Sequence, residues 1–434
     1  MKSLILAKYD RDSVNAASGL FALLIVIIFF TPVCCLSGCS QGTVDEEIIK
    51  TSTFSLLASP KNYQACLARG LAYARQGNHD RAIQDFNEVI RLKPDCSEAY
   101  YHRALSYLDK LDSTAALKDL SKAIDINPSY GDAYVERGIR YYEDNELDKA
   151  LADQSKAIEI EPGCAGAYHN RAFVYEKKAD FTHALADYNK SVELKGNDPT
   201  FLRDRALFFI TRHQYDKAIA DYNKIIELSP EDPEAYLDRA LAYDSKGDNE
   251  KALADYTKAI NYNPRYSDAY NGRGYLLVFM GLYDRAIVDC TRAIQLCPED
   301  AASYDSRAFA YNHTGDFDEA IDDARSAIKL NANYPEPYDN LGYALYRKGK
   351  FKEALTEVKK ALTIDRKLWR AYYHKGLVLE ALKKQKEAVG DYRIFISHAD
   401  FREKEDVPAA RERLERLTSK ALPPRGQASR SLHH

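Results

Sequence analysis

A period of 34 residues governs most of this 434-residue chain. One column is alanine at every step: Ala82, Ala116, Ala150, Ala184, Ala218, Ala252, Ala286, Ala320, Ala354 and Ala388. A second column is always small: Gly70, Ala104, Gly138, Ala172, Ala206, Ala240, Gly274, Ala308, Gly342 and Gly376. The register runs from Tyr63 to Arg402 without an insertion or a deletion. Self-similarity at such a period makes each unit one supersecondary element that buries its apolar face only by stacking on its neighbours. The expected units are 63–96, 97–130, 131–164, 165–198, 199–232, 233–266, 267–300, 301–334, 335–368 and 369–402.

Each unit holds two helical patterns. In the unit from Pro233, the residues Tyr236, Ala240 and Tyr243 recur at helical spacing, and Gly247-Asp248 then breaks the run. Ala252, Tyr256, Ala259 and Ile260 mark a second helix that Pro264 ends. Glycine frees the turn and proline cannot continue a helix. The small columns let paired helices approach closely, and tyrosines fill the wider gaps. This accounts for most of the 32 tyrosines, with one layer formed by Tyr100, Tyr134, Tyr168, Tyr236, Tyr270, Tyr304, Tyr338 and Tyr372.

The pattern Gly70, Tyr73, Ala82, Phe86 and Pro94 resembles that of the tetratricopeptide repeat (TPR) family, and the resemblance covers residues 63–402. It implies an all-α, right-handed superhelical solenoid of ten helix-turn-helix units, with first helices lining a concave protein-binding groove. The proline column becomes Ala332, Arg366 and Asp400 toward the C-terminus, leaving those helix ends undefined.

Arginine recurs at the same step, at Arg69, Arg103, Arg137, Arg171, Arg205, Arg239, Arg273 and Arg307. Aspartate shadows it at Asp85, Asp119, Asp153, Asp187, Asp221, Asp255, Asp289 and Asp323. A catalytic pair is needed once. Eight copies in step point to a two-pronged strut between first and second helices, within or between repeats. Taken as exposed pairs, each would contribute only ~0–1 kcal/mol.

The ends differ from the array. MKSLILAKYDRDSVNAAS carries Lys2, Lys8 and Arg11 and precedes the apolar run GLFALLIVIIFF, which is short for a membrane span. Leu36-Ser37-Gly38-Cys39 resembles a bacterial lipoprotein lipobox, although Asp10 and Asp12 depart from the usual lead. That resemblance implies a signal peptide over 1–38 and lipidation of Cys39. Residues 39–62 would then be the lipidated cysteine and a polar tether. Ser40 resembles outer-membrane sorting in diderm bacteria. The location implied is the bacterial cell envelope, facing the periplasm. An uncleaved single-span anchor, with the repeats outside the cytoplasm, is the alternative. At the other end, residues 403–420 read as a capping helix with Ala410, Leu414 and Leu417 on one face, and 421–434 as a disordered tail.

Catalytic chemistry finds no motif in the sequence. Cys66, Cys96, Cys164, Cys290 and Cys297 lack metal spacing, a Cys66–Cys96 bridge being one option. No HExxH, GxSxG or P-loop occurs, so no cofactor, metal or small-molecule substrate is expected. A balance of 61 Lys+Arg against 65 Asp+Glu lacks the basic footprint of a nucleic-acid binder.

The groove position that holds asparagine in chaperone-binding TPRs carries none here. It carries Tyr275, Phe309 and Tyr343 in successive repeats, with Val278, Phe279, Asn312 and Tyr346 beside them. These form either an exposed apolar binding patch or inter-repeat packing. Toward the N-terminus the groove gains Glu98, Asp132, Glu136, Asp204, Asp238 and Asp268, either a basic-partner site or a solvated face. The functional expectation is a membrane-tethered scaffold or adaptor that captures a partner peptide or helix, basic at one end and apolar at the other, in assembly of envelope machinery. The alternative is a non-catalytic regulatory subunit of an envelope enzyme on a separate chain.

Overall fold

A computed structural model describes residues 41–399, 403 and 406–419. The expectations for the signal segment, Cys39, residues 400–402 and the tail lie outside these residues. The described residues form 22 α-helices and no strand. They fall into two compact units, Met1–His213 and Gln214–His434. The first holds α1 (Gln41–Ala58), the hairpins α2/α3 (Tyr63–Arg75, His79–Leu92), α4/α5 (Ser97–Asp109, Ser113–Ile126), α6/α7 (Gly131–Glu143, Leu147–Ile160) and α8/α9 (Ala165–Lys177, Phe181–Leu194), and α10 (Pro199–Thr211). The second holds α11 (Tyr215–Leu228), α12/α13 (Pro233–Lys246, Asn249–Tyr262), α14/α15 (Ser267–Phe279, Tyr283–Leu296), α16/α17 (Ala301–Thr314, Phe317–Leu330), α18/α19 (Pro335–Arg347, Phe351–Ile364), α20/α21 (Trp369–Ala381, Gln385–His398) and α22 (Asp406–Ser419).

The small columns set the spacing within each hairpin. All ten alanines of the first column are fully buried. A Cβ placed on Gly376 would come within 2.5 Å of the Tyr392 ring, and one on Gly342 within 2.3 Å of a Val358 methyl. A larger first-helix residue there would push the second helix away.

Every hairpin turn passes through left-handed backbone at one column: Gly77, Leu111, Asn145, Ala179, His213, Gly247, Gly281, Gly315, Gly349 and Lys383. The next residue is the N-cap of the second helix, where Asn78, Asp112, Asp180 and Asp248 accept a backbone N–H. Sequence reading found this turn only where glycine marks it. The first helices are steadied from the other side. The hydroxyls of Tyr236, Tyr338 and Tyr372 donate to the carbonyls of Pro230, Ala332 and Arg366, at 3.1, 3.1 and 3.3 Å. The same carbonyl is thus held whether or not proline occupies the column. Accordingly α17 and α19 end at Leu330 and Ile364, in step with the helices that proline follows.

Seven arginine struts close within their own hairpins. Nε and Nη2 donate to the two carboxylate oxygens at 2.6–2.9 Å in the pairs Arg69–Asp85, Arg103–Asp119, Arg137–Asp153, Arg171–Asp187, Arg239–Asp255, Arg273–Asp289 and Arg307–Asp323. The remaining Nη1 reaches the preceding second helix, donating at 2.5–3.3 Å to Thr53, Asn87, Ser121, Ser155, Asn223, Thr257 and Thr291 in turn. Arg205 makes this backward bond to Asn189. Each guanidinium of the seven therefore ties three helices. The aspartates are buried, so the exposed-pair magnitude used for the sequence does not apply: the pair's net worth is offset by desolvation, while losing one partner is costly.

Residues 41–58, expected to be tether, are instead helix α1 packed on the first hairpin. Asp45 accepts from Arg75 Nε and Nη2 at 2.8 and 2.6 Å, and Leu56 joins the apolar cluster of Cys66, Val89, Cys96 and Ala99. The buried side of α1 includes Asp45 and Ser52 as well as half-buried isoleucines, so its sequence lacks a clear apolar stripe. At the other end α22 buries Ala410 and Leu417 against Tyr373, Tyr392 and Phe395. Arg413 Nη1 donates to Glu380 there at 3.0 Å.

Two outcomes are expected. Leu111→Gly and Ala179→Gly should each raise stability by about 1 kcal/mol, because a non-glycine residue is disfavoured in left-handed backbone; urea midpoints check this. Asp255→Ala should lower stability by roughly 2–4 kcal/mol, since it leaves a half-buried guanidinium unpaired. A double-mutant cycle with Arg239→Ala measures the coupling.

Candidate protein-binding face

The first helices carry both groups of residues that the sequence singles out. In the second unit, the aromatic group packs inward. Phe309 is 8% exposed, Val278 4% and Asn312 3%, while Tyr275, Phe279, Tyr343 and Tyr346 are half-buried. The Phe279 ring centroid lies 4.9 Å from that of Tyr275 and 5.4 Å from that of Phe309. Asn312 Nδ2 donates to the Asn340 carbonyl at 3.0 Å. Of the two readings that the sequence leaves open, these contacts favour inter-repeat packing. The rings share one apolar cluster with Leu277, Val278, Ala286 and Ala310.

Beside the rings lies a polar network that sequence reading missed. Asn340 Nδ2 donates to Asp305 at 2.7 Å, and the Tyr334 hydroxyl donates to its other oxygen at 3.3 Å. His374 Nδ1 lies 2.8 Å from Asp339, to which Arg370 Nε also donates at 3.0 Å. The Arg370 guanidinium stands 4.3 Å over the Phe309 ring. Burial acts against the Asp339 carboxylate, but His374 and Arg370 outweigh it and hold its pKa below the usual value. Asp305 lacks a direct cationic partner, and burial with Glu336 nearby pushes it up to about 7.

The spacing shows what this network does. Asp305–Asn340 and Asp339–His374 join a residue to one 35 positions on, and in the first unit His169–Asp204 does so at 2.8 Å. A link repeated at the hairpin period sets the register of neighbouring first helices. An acid–histidine pair closed inside a helix interface does not form a reaction centre. The signal lay in the columns, where position 305 follows Leu237 and Asn271 with a carboxylate.

The acidic residues have separate fates. Asp204 is taken by His169, and Asp238 is buried in the second unit. Glu98 and Asp132 are exposed, and burial, with the nearby charges of Asp132, Glu143 and Asp109, raises the pKa of Glu136. Arg140 opposes them but is itself paired with Glu143 at 2.8 Å. The helices α4 and α6 of the first unit thus present net negative charge. All five described cysteines are free thiols, Cys66 and Cys96 sharing one apolar cluster without a bridge.

Stacked helical hairpins held by recurring cross-helix bonds define a helical-repeat scaffold for protein–protein interaction. Profiles described as tetratricopeptide repeat match residues 55–99, 67–130, 101–165, 165–198 and 267–300, and one described as TPR repeat matches 209–247, 242–281, 310–349 and 342–383. The chain belongs to the tetratricopeptide repeat family, and these matches indicate no enzyme family.

Among curated proteins, none matches the sequence. Several solved structures are similar to it. A tetratricopeptide repeat protein from Parabacteroides merdae is 22% identical, covering 57% of this chain and 98% of its own, with a TM-score of 0.47. MamA is 28% identical over 37% of this chain and 97% of its own, with a TM-score of 0.33. YrrB, described as a TPR protein with an unusual peptide-binding site, is 21% identical over 45% of this chain and 97% of its own, with a TM-score of 0.35.

One test of the network concerns pH. Asp305 binds its proton more tightly folded than unfolded, so its contribution to stability is present at low pH and is lost as pH rises from about 4 through about 7. Asp305→Asn should flatten the fall of the urea midpoint between pH 5 and pH 8. Glu336, raised in the same direction, should leave a smaller residual slope.

Proposed function

We propose that this chain is a membrane-tethered adaptor of the bacterial cell envelope, anchored by acyl chains on Cys39, with its repeats facing the periplasm. It holds a basic partner peptide or helix in the assembly of envelope machinery. The lipobox-like Leu36-Ser37-Gly38-Cys39 supports the anchor. The observation that carries the partner reading is the acidic face of α4 and α6, where Glu98 and Asp132 are exposed beside Glu136. Preformed helices lower the ordering cost of capturing such a segment, and complementary charge speeds its encounter. The apolar end first expected of the partner is dropped, because the aromatic residues meant to receive it pack against one another.

Crosslinking and pull-down from membranes tests both parts. Cys39→Ser should release the chain from the membrane fraction. Glu98→Lys combined with Asp132→Lys should abolish recovery of the partner while the helical circular dichroism stays unchanged. Undiminished recovery by the charge-reversed chain, in 150 mM salt as in low salt, would refute the acidic docking face.

A further inference from the structure

Helix α1 stands in the place of a second helix, in register with the array. Subtracting 34 from α3 gives 45–58, which ends where α1 ends. Thr53 accepts from Arg69 as Asn87, Ser121 and Ser155 accept from the next three arginines. Pro60 stands in the proline column with Pro94 and Pro128.

The register identifies what α1 does differently. Phe54 occupies the outward column that holds Glu88, Lys122, Lys156, Lys190, Lys224 and Lys258 in later second helices. Leu57 occupies the column of Arg91, Asp125, Glu159, Glu193 and Glu227. Phe54 is 75% exposed and Leu57 77%, with Val44 at 48% toward the start of the helix. They point away from Asp45, Ser52 and Leu56, which face the first hairpin. Five or more repeats place charge at these positions; the other large apolar side chain in the two columns, Ile394 of the last hairpin, is half-buried, whereas Phe54 and Leu57 stand exposed.

We infer that the outer face of α1 lies on a phospholipid bilayer, with Phe54 and Leu57 seated among the headgroups. The occupant follows from where the chain outside the structure ends. Cys39 precedes Gln41 by two residues, which span at most about 7 Å when extended. A membrane anchor at Cys39 therefore keeps the start of α1 at the bilayer surface, and the helix extends ~27 Å from there. Exposed Lys50 and Lys61 flank the apolar residues and suit phosphate groups, whereas Glu46 and Glu47 balance them. Adsorption thus depends on the apolar side chains more than on anionic lipid. The inference rests on the anchor reading. It adds that the array is held against the membrane by its first helix, with no free tether between them.

The test uses the full chain, membrane-reconstituted in phosphatidylcholine vesicles, with Trp369→Phe removing the native tryptophan. Phe54→Trp in this background should be quenched several-fold more by brominated lipid than Glu88→Trp, its counterpart one repeat on. Phe54→Glu with Leu57→Glu should leave the helical signal unchanged. Equal, weak quenching of both probes in chain that remains with the vesicles would overturn the inference and spare the anchor. Chain that stays soluble would overturn the anchor reading and this inference with it. A blue-shifted, unquenched Phe54→Trp probe would also overturn it, pointing to a second copy if the detergent-solubilised mass doubles and to the chain's own leading segment if it does not.

Discussion

The guanidinium that grips its own hairpin with two bonds and the preceding hairpin with a third is the interaction on which the array depends. Stacking apolar faces alone fixes which sides meet, but it leaves neighbouring helices able to slide. Two parallel bonds at 2.6–2.9 Å set the crossing of the two helices in a hairpin, and the backward bond sets the step to the next. Lysine cannot do this with a single ammonium. In the last repeat, Lys375 makes one 2.9 Å bond to Asp391. In the ninth, Leu341 and Glu357 take the places of the pair, and no strut of this kind exists. The buried polar links Asp305–Asn340 and Asp339–His374 with Arg370 occur on the helices flanking that gap. Register is held there by first-helix to first-helix bonds instead.

Periodicity made much of this legible. The alanine and small columns located both helices of every hairpin, and the arginine and aspartate columns identified the struts before any geometry was known. What periodicity could not supply was depth. Phe309 and Tyr343 occupy the same column as groove-lining residues, yet one is buried and the other half-buried, because exposure depends on how tightly successive first helices close. The third bond of each arginine was also hidden. Its acceptors vary among Asn, Ser and Thr, which share an oxygen and little else in a sequence comparison. The same variation concealed α1, whose Thr53 and Pro60 fit their columns although Ile48 and Thr51 replace the alanine and the aspartate.

A repeat array must end somewhere, and each end leaves a face that the next hairpin would have covered. The C-terminal solution is chemical closure. Ala410 continues the small column, Leu417 fills the apolar gap, and Arg413 and Arg416 turn the helix end toward Glu380. The N-terminal solution is different. It continues the strut through Thr53 and the acid–arginine bond through Asp45, so polar groups share its inner side with Leu56 and the half-buried isoleucines.

That closure makes the outer side of α1 informative. If Phe54 and Leu57 were needed to finish the core, they would point inward, where Ser52 and Thr53 stand instead. Their exposure is therefore independent of folding, and removing it would cost the array little stability. In a chain whose columns repeat so strictly, a residue that breaks its column without serving the core is best explained by something outside the core. Glu98 and Asp132 keep to their column, which is acidic again at Glu234, Asp268 and Glu336, and differ from those three in being exposed rather than half-buried. Conformity to the period thus describes how the molecule stands, and departures on its surface mark where contacts are to be tested.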